Sequence, residues 1–162
     1  MKIGLISDTH GWLDPAVFRH FEPCSEIWHA GDIGPEVSGP LEAFRPLIAV
    51  YGNIDDRQIR NSYPKDQWIE RDGLTILITH IAGNPPGYTP EIRRMTAEQK
   101  PDVLICGHSH IVRASRHEWL HLNPGAAGRQ GFHRMRTIMR MDITSGKIEN
   151  LEVIELGLRG AL

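Results

Sequence analysis

Seven side chains able to ligate a divalent ion stand just beyond five short apolar runs. Asp8 and His10 follow Ile3-Gly4-Leu5-Ile6, and Asp32 follows Ile27-Trp28 by way of His29-Ala30-Gly31. Asn53 follows Leu47 to Val50, His80 follows Leu74 to Ile78, and His108 and His110 follow Val103 to Cys106. Taken singly, each motif reads as a turn or a cap, since Gly-Asp and Gly-Asn are ordinary turn dipeptides and His-x-His suits a surface pair. Five such accidents, each at the end of an apolar run, are a poor account of the whole set. Seven donors exceed the needs of one tetrahedral ion and suit two ions sharing a carboxylate. The donors are carboxylates, imidazoles and one amide oxygen, with no thiolate, which favours manganese, iron or zinc over a structural zinc–thiolate site. In an extended chain, residues two apart face the same side, so Asp8 pairs with His10 and His108 with His110. Glycines 31, 52 and 107 let the backbone come close to an ion or phosphate with no Cβ in the way.

The elements that must position these residues follow from the same runs. Continuous apolar stretches of this length fit strands buried on both faces, and in open α/β sheets ligands lie beyond the carboxyl ends of the strands. If the five runs are neighbours in one sheet, all seven donors converge on a single rim. Helices are expected between them: Asp14 as N-cap with Pro15 opening a helix to Phe21, Pro40 to Arg45, and Thr89-Pro90 leading Glu91 to Lys100. Met135, Thr137, Met139, Met141 and Ile143 alternate with Arg136, Ile138, Arg140 and Asp142, and Ser145-Gly146 turns this strand into a partner over Ile148 to Ile154. The methionine stripe is expected to be core. The 162 residues read as one α/β domain, 1–162, closed by antiparallel strands.

Bulk composition narrows the function classes. Eighteen basic against 20 acidic residues give a net charge of −2, so no polyanion-binding surface is advertised, and a nucleic acid enters only as a substrate. No apolar run reaches 18 residues and the first residues lead straight into a strand, so neither a membrane span nor a signal peptide is expected. The two cysteines, Cys24 and Cys106, imply no disulfide framework, and a cytoplasmic setting is the default. His20, His117 and His121 read as surface or satisfied polar residues, His29 as a half-buried strand residue or, less simply, a support behind the ligands, and His133 is undecided. Cys106 reads as a small apolar strand residue rather than a nucleophile. Homo-oligomerisation is left open.

The ordered set Asp8-x-His10, Gly31-Asp32, Gly52-Asn53-x-Asp55, His80, Gly107-His108-x-His110 resembles the calcineurin-like metallophosphoesterase family, and Asn123-Pro124-Gly125-Ala126 is similar to the Asn-Pro-Gly-Ser turn of its small single-domain phosphodiesterases. The resemblance implies two mixed β-sheets flanked by helices, with a dinuclear site at the strand ends. It further implies that Asp8, His10 and His110 hold one metal, that Asn53, His80 and His108 hold the second, and that Asp32 bridges them. Every ligand position is filled, unlike the family's non-catalytic relatives. The implied chemistry is phosphoester hydrolysis by a hydroxide shared between two divalent ions, Mn2+ foremost, with Zn2+, Fe2+, Ni2+ or Mg2+ as alternatives. Asp32 and Asn53 are the residues nearest that chemistry, Asp55 is expected to brace the Asn53 turn, and Arg129 is either a phosphate contact or a solvated arginine. Ile54 departs from the family, where a histidine at this place serves the leaving alkoxide, and Thr79, Ile81, Ala82 and Gly83 depart around His80. Loss of that proton donor favours diesters with good leaving groups; a monoesterase or nucleotide pyrophosphatase, or a non-catalytic scaffold, are the alternatives.

Overall fold

Apolar strands need cover on both sides, and the computed structural model, which describes residues 1–160, supplies it with two sheets and four short helices. The chain runs β1 (Lys2–Ile6), α1 (Ala16–His20), β2 (Glu26–His29), α2 (Ser38–Phe44), β3 (Leu47–Ala49) and α3 (Arg57–Ser62). It continues through β4 (Asp66–Arg71), β5 (Leu74–Thr79), the small hairpin β6 (Gly83–Asn84) and β7 (Gly87–Tyr88), α4 (Pro90–Glu98) and β8 (Val103–Ile105). It closes with β9 (Arg113–Arg116), β10 (Leu120–Asn123), β11 (Met135–Thr144) and β12 (Lys147–Leu158).

One sheet has the order β12-β11-β1-β2-β3 and the other β4-β5-β8-β10-β9. Each contains three parallel strands, β1-β2-β3 at one side of the first sheet, with antiparallel β11 and β12 beyond β1, and β5-β8-β10 at the centre of the second, with antiparallel β4 and β9 at its two edges. The five apolar runs therefore do not share one sheet. The first three belong to one sheet and the last two to the other, and the single rim expected from the sequence is the joint rim of both. The physical reason lies in side-chain alternation. Ile3, Leu5, Met139, Met141 and Ile143 of the first sheet pack on Ile76, Ile78, Val103 and Ile105 of the second, so each sheet covers one face of its partner. The opposite faces carry the helices: Val17, Leu41 and Ile59 of α1, α2 and α3 pack with Ile6 and Ile27, and Ile92 of α4 packs with Leu77 and Leu104. The methionine stripe is core, as expected.

Helix boundaries shift by small amounts. Pro15, not Asp14, is the N-cap of α1; Asp14 stands one residue earlier and its carboxylate accepts from the Ala16 N–H at 2.9 Å. The helix expected from Pro40 starts at Ser38. Thr89 caps α4 through the Ile92 N–H at 3.2 Å, with Pro90 at the first helical position. The sequence reading missed α3, which Asp56 caps by accepting from the Ile59 N–H at 3.1 Å. It also missed β4, β6, β7, β9 and β10.

Candidate metal centre

The strand ends bring six of the seven expected donors into two tight groups. Asp8, His10 and His110 form one and Asp32, His80 and His108 the other, the possible ligand atoms of each lying within 4.8 Å of one another. Asp8, His10 and Asp32 leave β1 and β2 of the first sheet, whereas His80, His108 and His110 leave β5 and β8 of the second. The loops are sewn together by backbone bonds: Asp8 N–H to Gly31 O, His10 N–H to Asp32 O and Gly107 N–H to His80 O, each 3.0 Å. Asn123 donates its amide to Gly107 O at 3.0 Å and to Ser109 Oγ at 3.1 Å, which holds the His108-Ser109-His110 loop in place.

Five of the candidate ligands, Asp8, His10, Asp32, His108 and His110, have φ between 48° and 70°, in the left-handed region that side-chain-bearing residues avoid. Such conformations persist where surrounding contacts enforce them, and they gather at functional sites.

Asp32 lies against both groups. Its Oδ2 is 3.1 Å from His80 Nε2 and 3.8 Å from His10 Nε2, while its Oδ1 accepts from the Ile54 N–H at 3.0 Å. Asp8 uses Oδ2 to accept from Ser7 Oγ at 2.7 Å and from the His108 N–H at 3.1 Å, which leaves Oδ1 to face His110 Nε2 at 3.2 Å. His80 donates from Nδ1 to the Ala30 carbonyl at 2.8 Å, so its Nε2 carries a lone pair into the cluster. Gly52 lies directly against the Asp32 carboxylate, and a Cβ there would collide with Oδ1.

Among the described residues, four buried side-chain nitrogen or oxygen atoms have no hydrogen-bond partner: Asp8 Oδ1, both ring nitrogens of His10, and His80 Nε2. Three of them, Asp8 Oδ1, His10 Nε2 and His80 Nε2, face the cluster, and buried polar groups without partners are costly. Carboxylate and imidazole lone pairs facing one another across 3 to 4 Å call for a shared cation. The donor set therefore fits divalent metal. Burial alone would raise the Asp8 carboxyl, but the imidazoles of His10, His110 and His80 and the Ser7 hydroxyl outweigh it and hold the group well below the usual carboxylate range. Burial also works to raise Asp32, and His80 with the Ile54 N–H reverses that. His80 in turn is raised against its burial by Asp32 and Asp8, and His108 is lowered by burial and by the neighbouring His80.

The Asn53 turn is exposed and borders a cleft of about 360 Å3 that it shares with Tyr51, Arg60, Lys65, His80 and Ile81. Asp55 accepts three backbone N–H groups, from Ile33 at 3.1 Å, Gly34 at 2.9 Å and Gly52 at 2.8 Å. Arg60 clamps the same turn by donating to Asp55 O at 2.7 Å and Asn53 O at 2.8 Å. A second cleft of about 200 Å3 opens beside His108, lined among others by Ile81, Ile111 and Arg113. Arg129 lines neither cleft; its guanidinium rests on the Trp12 ring, 4.2 Å from the centroid.

Three contributors had no sequence signal of their own. His29 is fully buried, not half-buried: its Nδ1 accepts from the Gly31 N–H at 3.1 Å and its Nε2 lies 3.0 Å from Thr9 Oγ1, between Asp8 and His10. Burial lowers its pKa to about 4. Arg60 and His133 are the others, and only the fold brings them near the donors.

The profile of the calcineurin-like phosphoesterase superfamily domain matches residues 1–146 of this chain. The chain belongs to this family. Its relatives include a probable metallophosphoesterase of Methanothermobacter thermautotrophicus, 34% identical over 134 residues, or 78% of this chain and 77% of that protein. A probable metallophosphoesterase of Methanocaldococcus jannaschii is 33% identical over 135 residues, covering 78% and 68% of the two chains. Among solved structures, an archaeal protein described as a novel phosphodiesterase superposes with a TM-score of 0.77 at 25% identity, over 96% of this chain and all of that one. This metallophosphoesterase domain has no helix, among the described residues, long and apolar enough to cross a membrane.

Proposed function

We propose that the protein is a metal-dependent phosphodiesterase acting on a small phosphoester. Asp8, His10 and His110 hold one divalent ion, Asn53, His80 and His108 the other, and Asp32 joins the two. The observation that carries this reading is the pair of donor groups at one rim, in which Asp8 Oδ1, His10 Nε2 and His80 Nε2 are buried without a hydrogen-bond partner. When bound, two such ions neutralise phosphate charge and acidify an attacking water. The chain's own residues set the stage for that. Asp32 is steered by the Ile54 N–H on one oxygen so that the other faces both groups. Asn53 offers an amide oxygen that adds no negative charge to repel the substrate. Asp55 and Arg60 hold its turn to the chain beyond Asp32.

Preference for diesters has two supports: two adjoining clefts that border the cluster at His80 and at His108, room for two ester arms, and the likeness to a protein described as a phosphodiesterase. Ile54 has no proton to give, so the leaving group takes its proton from solvent and acidic leaving groups are favoured. The donor set suits Mn2+, Fe2+ or Zn2+, and Mn2+ is the ion this reading puts first. The test is to strip the protein of metal and assay bis-aryl and mono-aryl phosphates with Mn2+, Zn2+, Fe2+, Ni2+ and Mg2+ added separately. Metal-restored turnover, faster on the diester, is expected. Faster monoester turnover would make it a monoesterase, and no metal-dependent turnover of either would end the enzyme reading.

A further inference from the structure

His110 has a partner that no motif marks. His133 lies in the loop before β11, and its Nδ1 is 3.1 Å from the Nδ1 of His110, the two rings standing 5.0 Å apart at 76°. The other nitrogen of His133, Nε2, is 2.8 Å from the Gly128 carbonyl oxygen. A carbonyl only accepts, so in the neutral ring the proton of His133 sits on Nε2 and its Nδ1 is bare. The hydrogen between the two rings then belongs to His110 Nδ1. That leaves His110 Nε2 bare, facing Asp8 Oδ1 at 3.2 Å.

We infer that His133 is a positioning residue of the metal centre: by accepting from Nδ1–H, it fixes His110 in the one tautomer and ring orientation that present Nε2 as a ligand. The inference rests on the metal reading above. His80 reaches the same state through the Ala30 carbonyl, so the two groups use different acceptors for one purpose. A metal-ligating histidine ordinarily donates its second N–H to a carboxylate, a carbonyl or water. A neutral imidazole in that role holds the ring without adding negative charge to a group that already contains Asp8.

The surrounding chain is shaped to the pair. Gly131, at φ 128°, passes so close that a Cβ would collide with the His110 ring and stand 3.2 Å from His133 Nδ1. The His133 backbone is held from the far side by Arg159, whose Nε donates to its carbonyl at 2.8 Å. The Gly128 N–H donates to Asp8 O at 3.0 Å, so the carbonyl that orients His133 is itself tied to the strand end bearing Asp8.

Two measurements test this without relying on turnover. Long-range 1H–15N correlation spectra of the Zn2+-loaded protein at neutral pH should show His110 protonated on Nδ1 and His133 on Nε2. Chelator-competition titration with Mn2+ or Zn2+ should show two sites, and His133→Gln should weaken one of them by about 10- to 100-fold while sparing the other, the usual scale for losing such a partner. His133→Asn keeps an oxygen where Nδ1 was, whereas His133→Gln keeps a donor where Nε2 was. Asn should therefore restore affinity to within a few-fold of wild type and Gln should not. A spectrum with His110 protonated on Nε2, or Asn and Gln variants equally weakened or both unchanged, overturns the inference. Failure of the hydrolysis assay with these results intact would remove the proposed activity alone.

Discussion

The Asp55→Asn substitution tests the bracing of the Asn53 turn most sharply. Asp55 is 5% exposed and accepts three N–H groups, two on Oδ2 from Ile33 and Gly52 and one on Oδ1 from Gly34. An amide of the same shape keeps one oxygen. Placed at Oδ2, it retains two bonds but without the charge assistance, a loss of about 1 kcal/mol each. Its NH2 then meets the Gly34 N–H, donor to donor, which leaves a buried donor unsatisfied at about 1–3 kcal/mol. The expected destabilisation is about 4 kcal/mol, or about 8–16 °C in Tm for a chain of this size. Thermal unfolding of the metal-free protein by circular dichroism measures it without interference from bound ions. The same variant should lower metal-dependent turnover, because the Gly52-Asn53 turn loses its tie to Gly34 and keeps only weaker bonds to Ile33 and Gly52. A Tm within about 2 °C of wild type would refute this account of Asp55.

Ile54→His should raise turnover of diesters with alkyl leaving groups, toward the lower end of the ~10²–10⁴-fold range of general acids, and leave nitrophenyl esters nearly unchanged. Equal effects on both ester types would show that no proton is being supplied. Asp32→Ala should reduce metal content by elemental analysis at both groups together, since its Oδ2 faces His10 and His80 alike; retention of two ions per chain would contradict its shared position. His29 binds no proton in the folded protein until about pH 4, whereas the unfolded chain takes one near 6.5. Its depressed pKa therefore contributes stability above pH 6.5 that is lost as pH falls toward 4, on the order of 3 kcal/mol. His29→Gln should flatten that part of the stability–pH curve in chemical denaturation, and an unchanged slope would count against a neutral buried His29.

Much of the site is legible in the chain because strand ends deliver their side chains to a place the topology predetermines. Asp8, Asp32, His80 and His108 each stand within a few residues of an apolar run, and the rule that parallel strands end together brings Asp8 to Asp32 in one sheet and His80 to His108 in the other. Two things were not legible in the residue pattern itself. The split into two sheets is implied by the family resemblance alone, because a run buried on both faces looks the same whether a helix or a second sheet covers it. Side chains that act through others are equally silent: Arg60 and His133 lie in polar stretches, and only the tertiary fold brings them to Asn53 and His110. The helix α3 that Asp56 caps follows the ligand turn at once and buries only Ile59, too short a stretch to show a helical period.

The division of donors between the sheets has a mechanical consequence. Each group draws on both layers, Asp8 and His10 with His110 in one case and Asp32 with His80 and His108 in the other. Any ion seated in either group is thus a rivet through both layers of the sandwich, and part of its binding energy is spent holding the layers in register. A slide of one layer over the other changes the spacing in both groups at once. The two seats cannot loosen independently, and the Ile and Val side chains packed between the layers set the gauge of the centre as surely as the residues that line it.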